Sequence, residues 1–222
     1  MKNLLIIISI FSSVNVFYSQ AIVSKWPNGK IQEEGVLIDS CFIGKYKSYN
    51  EQGSLIEEGE FIPASYNNVF VKGVEGSGID TLAIKKDVIK NASVKTGKWI
   101  YYSNAGKKIE EGTYLPQSYI ELIQTFNPEN STIVYNYNKE LPGTKTGLWR
   151  FYDENGILDY EQTFVNGARE GIRSEYYVNG KLKAQGVFDE QHFRKKGIWK
   201  EYDDKGNLSS TVKYDNQGNS IK

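Results

Sequence analysis

The chain has 222 residues, with 27 Lys and Arg against 27 Asp and Glu, so its formal net charge is zero. One Cys permits no intrachain disulfide, no Cys-rich zinc site and no CxxC redox pair, and one His permits no His-cluster metal site. The missing basic surplus argues against a general binder of nucleic acid or anionic membrane, and 14% aromatic residues argue against disorder.

The chain opens with Met1-Lys2-Asn3 and an apolar run from Leu4 to Phe11, broken by Ser9 and continuing raggedly to Phe17. That run is shorter than the roughly 20 residues of a membrane-spanning helix and fits the apolar region of a secretory signal peptide. Ser19-Gln20-Ala21 is a small-x-small cleavage site, which predicts residues 1–21 as the signal peptide and a cut before Ile22; a cut before Gln20 is the alternative. Cys41 lies well past the apolar run, so there is no lipobox, and it reads as a packed apolar residue. The expectation is an exported protein of bacterial origin, periplasmic, cell-surface or secreted, with no stable membrane anchor after cleavage.

Residues 22–222 are organised by a repeat. Segments starting at Gly44, Gly97, Gly147, Gly171 and Gly197 align without gaps, and each has a second Gly nine residues on, at Gly53, Gly106, Gly156, Gly180 and Gly206. A Tyr precedes each second Gly by four residues (Tyr49, Tyr102, Tyr152, Tyr176, Tyr202), and an aromatic follows it by eight (Phe61, Tyr114, Phe164, Phe188, Tyr214). Trp99, Trp149 and Trp199 stand two residues after their first Gly, and a partial unit covers Lys25–Leu37. Each unit reads as a β-hairpin: a short aromatic strand, a polar turn closed by Gly in the manner of a type I turn with a G1 bulge, and an alternating second strand. Trp and Tyr three apart in the first strand require either a bulge or aromatics on both faces.

The starting glycines are 53, 50, 24 and 26 residues apart. The two long steps leave irregular segments at 62–96 and 115–146. These are either degenerate units, giving about eight hairpins in all, or functional insertions. The first holds β-prone runs at 68–74 and 81–90, the second at 119–126 and 131–137.

The pattern G-x-W-x-x-Y-x-x-x-G followed by x-L resembles the MORN repeat, and most closely its bacterial variant, whose units read Y-x-N-G-K-L-x-x-x-G. Tyr177-Val178-Asn179-Gly180-Lys181-Leu182 and Trp26-Pro27-Asn28-Gly29-Lys30-Ile31 carry that signature. The resemblance implies an all-β fold, one elongated, twisted antiparallel sheet of consecutive hairpins. Some bacterial members are labelled antitoxin, and eukaryotic relatives are associated with membrane lipids or protein scaffolding; the absent basic surplus argues against lipid binding here.

Enzymatic chemistry finds little support. His192, in Asp189-Glu190-Gln191-His192-Phe193, reads as an ordinary loop residue, and no GxSxG, HExxH or P-loop is present. Glu33-Glu34, Glu57-Glu58 and Glu110-Glu111 recur at one repeat position, but neighbours on a strand face opposite ways, so they read as a solvated face. The sequons at Asn91, Asn130 and Asn207 carry no weight in a bacterial protein. The expectation is a non-catalytic protein without cofactor or metal. It would bind an unknown protein partner or, alternatively, an envelope glycan through Trp99, Tyr102, Trp149, Tyr152, Trp199 and Tyr202. These aromatics have two readings, core or stacking platform, and Gly35, Gly59, Gly112 and Gly186 would suit a Trp packed over glycine.

Overall fold

The structure is a computed structural model that describes residues 20–72, 80–90, 92–127, 132–137, 141–189 and 194–221, with backbone only for 20–23, 123–127 and 132–137. Most of the signal segment, together with His192, Asn91 and Asn130, lies outside the described residues.

Thirteen strands form one open antiparallel sheet: β1 (Gln20–Lys25), β2 (Ile31–Ile38), β3 (Cys41–Tyr49), β4 (Leu55–Pro63), β6 (Ser93–Tyr102), β7 (Lys108–Leu115), β10 (Thr144–Tyr152), β11 (Leu158–Val165), β12 (Ala168–Tyr176), β13 (Leu182–Asp189), β14 (Arg194–Tyr202), β15 (Leu208–Tyr214) and β16 (Ser220–Ile221). They pair in that order, so the expected hairpin array is what the chain builds. The partial unit is a complete hairpin, because β1 pairs with β2 from Gln20↔Leu37 to Lys25↔Ile31. A cut before Gln20 would leave β1 whole, whereas a cut before Ile22 would remove its first two residues.

The hairpin turns follow the expected chemistry. In Asp153–Ile157, Gly156 N–H donates to the Asp153 carbonyl (2.9 Å) and Asp153 N–H donates to the Ile157 carbonyl (2.8 Å). The Asp153 carboxylate accepts from the N–H groups of Asn155 and Ile157. Gly156 has φ +81°, the left-handed conformation that costs glycine nothing. The signature Asn-Gly-Lys serves the next turn: Asn179 Nδ2 donates to the Asp204 carbonyl (2.9 Å) and Lys181 Nζ to the Lys205 carbonyl (2.8 Å). Asn28 and Lys30 repeat this on Glu51 and Gln52.

The two long steps are insertions. β4 pairs directly with β6 and β7 directly with β10, so no unit is missing from the sheet, and of the two readings the insertion one describes the chain. The inserted chain makes its own module: β5 (Val69–Lys72), helix α1 (Thr81–Ile89), β8 (Ser118–Asn127) and β9 (Thr132–Tyr137). The expected hairpin in 115–146 is β8–β9, but it pairs with β5, in parallel, rather than with the repeat sheet. The run at 81–90 is a helix, not a strand. Asp80 caps it by accepting from Leu82 N and Ala83 N, and Ile84, Val88 and Ile89 line one helical face against Val69, Val94, Ile120 and Leu141.

Candidate functional site: the two faces of the repeat sheet

On one face, a recurring stack joins each unit to the next. Gly97 takes φ +64° and bulges the middle of β6, shifting its register against β4 between Glu58 and Glu60. Trp99, two residues on, lays its ring across β4 above Gly59, where a Cβ would lie 2.2 Å from the ring. Its indole N–H donates to the carbonyls of Glu60 (3.2 Å) and Thr96 (3.1 Å), which flank the bulge. Lys95 Nζ lies 3.9 Å from the centre of the ring and pairs with Glu57. Trp149 repeats this over Gly112 beneath Lys145, which pairs with Glu110, and Trp199 over Gly186 beneath Lys195.

All three indoles are 0% exposed. The stacking-platform reading of Trp99, Trp149 and Trp199 is therefore corrected: glycine lies beneath each ring, lysine above, and no face remains for a ligand. The unit starting at Gly171 serves as an internal control. It has Arg173 in the Trp slot, and the facing strand has the buried Gln162 where the others have Gly. Arg173 lies 3.9 Å over Tyr160 and donates to Glu175.

The repeat tyrosines stand on the opposite face, so the bulge and the two-faced reading both hold. Four of the five hydroxyls donate to a carboxylate of the preceding unit: Tyr49 to Glu34 (2.8 Å), Tyr102 to Glu58 (2.6 Å), Tyr152 to Glu111, and Tyr176 to Glu161 (2.7 Å). Burial, followed by these bonds to carboxylates, pushes Tyr49, Tyr102 and Tyr176 up to about 12. Burial acts to raise Glu111, but bonds from Tyr152, Lys98 and Lys108 outweigh it and hold the carboxyl down at about 2. The glutamate pairs are thus not merely a solvated face. The first member meets Lys or Tyr on the tryptophan side, and the second accepts from the next unit's tyrosine. Gln185 takes that position in front of Tyr202 and instead donates to Ser174. Tyr202 is half-buried, and its carbonyl accepts from Tyr177. The glutamate acceptors and the Lys caps escaped the sequence reading, although Lys-x-Gly-x-Trp recurs at Lys95, Lys145 and Lys195.

The tyrosine-side face also carries a row that differs along the sheet. At the position after each starting glycine and across from it, the first units have Lys45, Glu60, Lys98 and Thr113. The later units have Leu148, Thr163, Ile172, Val187, Ile198 and Lys213. Ile172 and Ile198 are 53% and 61% exposed. Cys41 is half-buried and its thiol is raised by burial, so it stays protonated near neutrality.

Segments 43–62, 95–115, 145–166, 169–190 and 195–216 match the family described as MORN repeat variant, each covering one hairpin with its bulge glycine and aromatic. The chain is a MORN-type repeat protein. MORN repeats are generally implicated in protein and membrane interaction. No curated protein matches the chain. The MORN consensus is accounted for by the two ladders, whose aromatics, glycines and carboxylates are consumed in joining unit to unit. Individuality therefore resides in what the consensus leaves free, namely the apolar row and the inserted module.

Proposed function

We propose that the protein is an exported, non-catalytic MORN scaffold at the cell envelope that holds a protein partner on the tyrosine-side face of its last three units. The observation that carries this is the row Leu148, Ile172, Val187 and Ile198. The fold does not need apolar residues there, because earlier units satisfy the same geometry with Lys45 and Lys98. An exposed apolar row at a position that tolerates charge marks an interaction surface. Its fringe of Lys196, Lys200 and Lys213 favours a partner with acidic groups around an apolar centre. Export rests on the N-terminal segment: its short apolar region and small-x-small site are those of a signal peptide.

A photo-reactive side chain at Ile198 tests this in envelope preparations of the source cells. The expected result is one discrete crosslinked adduct, absent when the same group is placed at Val178, an exposed turn residue away from the row. Equal adducts from both positions would contradict the assignment.

A further inference from the structure

The pitch and width of the apolar row select among partners. Ile172 of β12 stands directly across from Val187 of β13, and Ile198 of β14 is the next apolar side chain along the sheet. All three are exposed. Same-face side chains on adjacent strands are about 5 Å apart, so these three span about 10 Å in a line across the strands.

The row is one side chain wide, and lysines bound it on both sides. Lys196 and Lys200 lie two residues before and after Ile198 on β14, both exposed. The rise of a strand sets them about 13 Å apart with Ile198 between them. Lys200 faces Gln185 and Thr211, and Lys213 faces Ile198 and Ile221, so the register sets no carboxylate directly across from either. Beside the row the face is short and polar, with Ser174 buried and Gln185 Nε2 donating to its Oγ (3.0 Å).

These dimensions are those of a helix laid across the strands. An α-helix places apolar side chains at i, i+3 and i+7 over about 10 Å, and its diameter of about 10–12 Å fits between the two lysines. Residues on both flanks of such a stripe reach outward, one flank toward Lys196 and the other toward Lys200. Resting on the docking surface assigned above, we propose that its occupant is an acidic amphipathic helix of the partner, lying across β12, β13 and β14 with carboxylates on both flanks. An extended segment fits the row less well, because its same-face side chains repeat at about 6.7 Å and the alternate ones leave the surface. A second copy of the chain would set one lysine fringe against another. An anionic membrane would have to bury Ser174, Gln185 and Thr211 along with so narrow a row.

Fluorescence anisotropy of labelled peptides of about 20 residues, long enough to form a helix, tests this on the purified chain. One peptide carries Leu at i, i+3 and i+7 flanked by Glu, a second has the same composition in strict alternation, and a third has Lys in place of Glu. The expected result is saturable binding of the acidic helix alone, with helical circular dichroism gained on binding and affinity falling as salt rises. Ile198→Ser should weaken it about tenfold and Lys200→Gln several-fold, while Lys200→Arg preserves it, each at unchanged melting temperature. Equal or stronger binding of the alternating peptide or the basic helix would overturn the proposal. Self-association of the chain, or its co-sedimentation with phosphatidylglycerol vesicles, would also overturn it if lost in Ile198→Ser. No binding of the acidic helix up to about 1 mM alongside a discrete Ile198 adduct would overturn the helix and leave the protein-partner assignment standing. Absence of that adduct would overturn the assignment and the helix with it.

Discussion

Trp149 occupies the space above Gly112 so closely that a methyl group there would lie 2.1 Å from the ring. Glycine is present because the neighbouring unit's indole fills the place of its side chain, and the indole is buried because glycine admits it. Gly112→Ala should therefore destabilise the protein by about 3 kcal/mol, and Trp149→Ala by about 3–5 kcal/mol. The two are one interaction, so the double variant should cost far less than the sum. Additive losses in denaturant titrations would sink this account of the joint.

The Arg173–Gln162 joint offers a complementary exchange. Trp199→Arg with Gly186→Gln transplants that pair into the last joint. Thermal melts should place the double variant above either single one, since each single variant leaves a clash or an unfilled space.

Glu111 is held near 2 against an ordinary 4.5. Its folded value is depressed, so its contribution is complete above pH 4.5 and is lost as pH falls toward 2. Up to about 3 kcal/mol rides on this group. Acid unfolding followed by circular dichroism should begin in that window, and Tyr152→Phe should move the midpoint to higher pH.

The tyrosines set the opposite limit. Tyr49, Tyr102 and Tyr176 are raised from 10 to about 12, so their contribution is complete below pH 10 and is lost as pH rises through 12. Absorbance of tyrosinate should lag behind model tyrosine through pH 11 and then appear together with loss of the sheet signal.

Sequence and structure agree where interactions are local or repeat in step with the unit. The hairpin turns were legible because Asp153 and Gly156 are three residues apart, and the Trp-over-Gly packing because Gly59, Gly112 and Gly186 recur at one slot; at Gly35, in the same slot, the ring above is Phe42 instead. The Tyr–Glu ladder was not legible, because Tyr152 reaches Glu111 across 41 residues and through the register between units. The inserts were ambiguous for the same reason: β5 and β8 meet in parallel although Val69 and Ser118 are far apart in sequence. The run 81–90 is β-prone in the sequence, but the N-cap Asp80 and the 84-88 spacing decide for a helix once Val69 and Ile120 give it a surface to cover.

The central claim is that the tryptophan side holds the sheet together while the apolar row on the tyrosine side is free to bind. Its most direct test is retention of envelope proteins by the immobilised native chain and by an Ile172→Ser, Ile198→Ser variant, with the melting temperature of each. The account predicts that one specific partner is retained by the native chain and lost from the variant at unchanged stability. Equal retention by both, or a fall in melting temperature showing that Ile172 and Ile198 serve the fold instead, would contradict it.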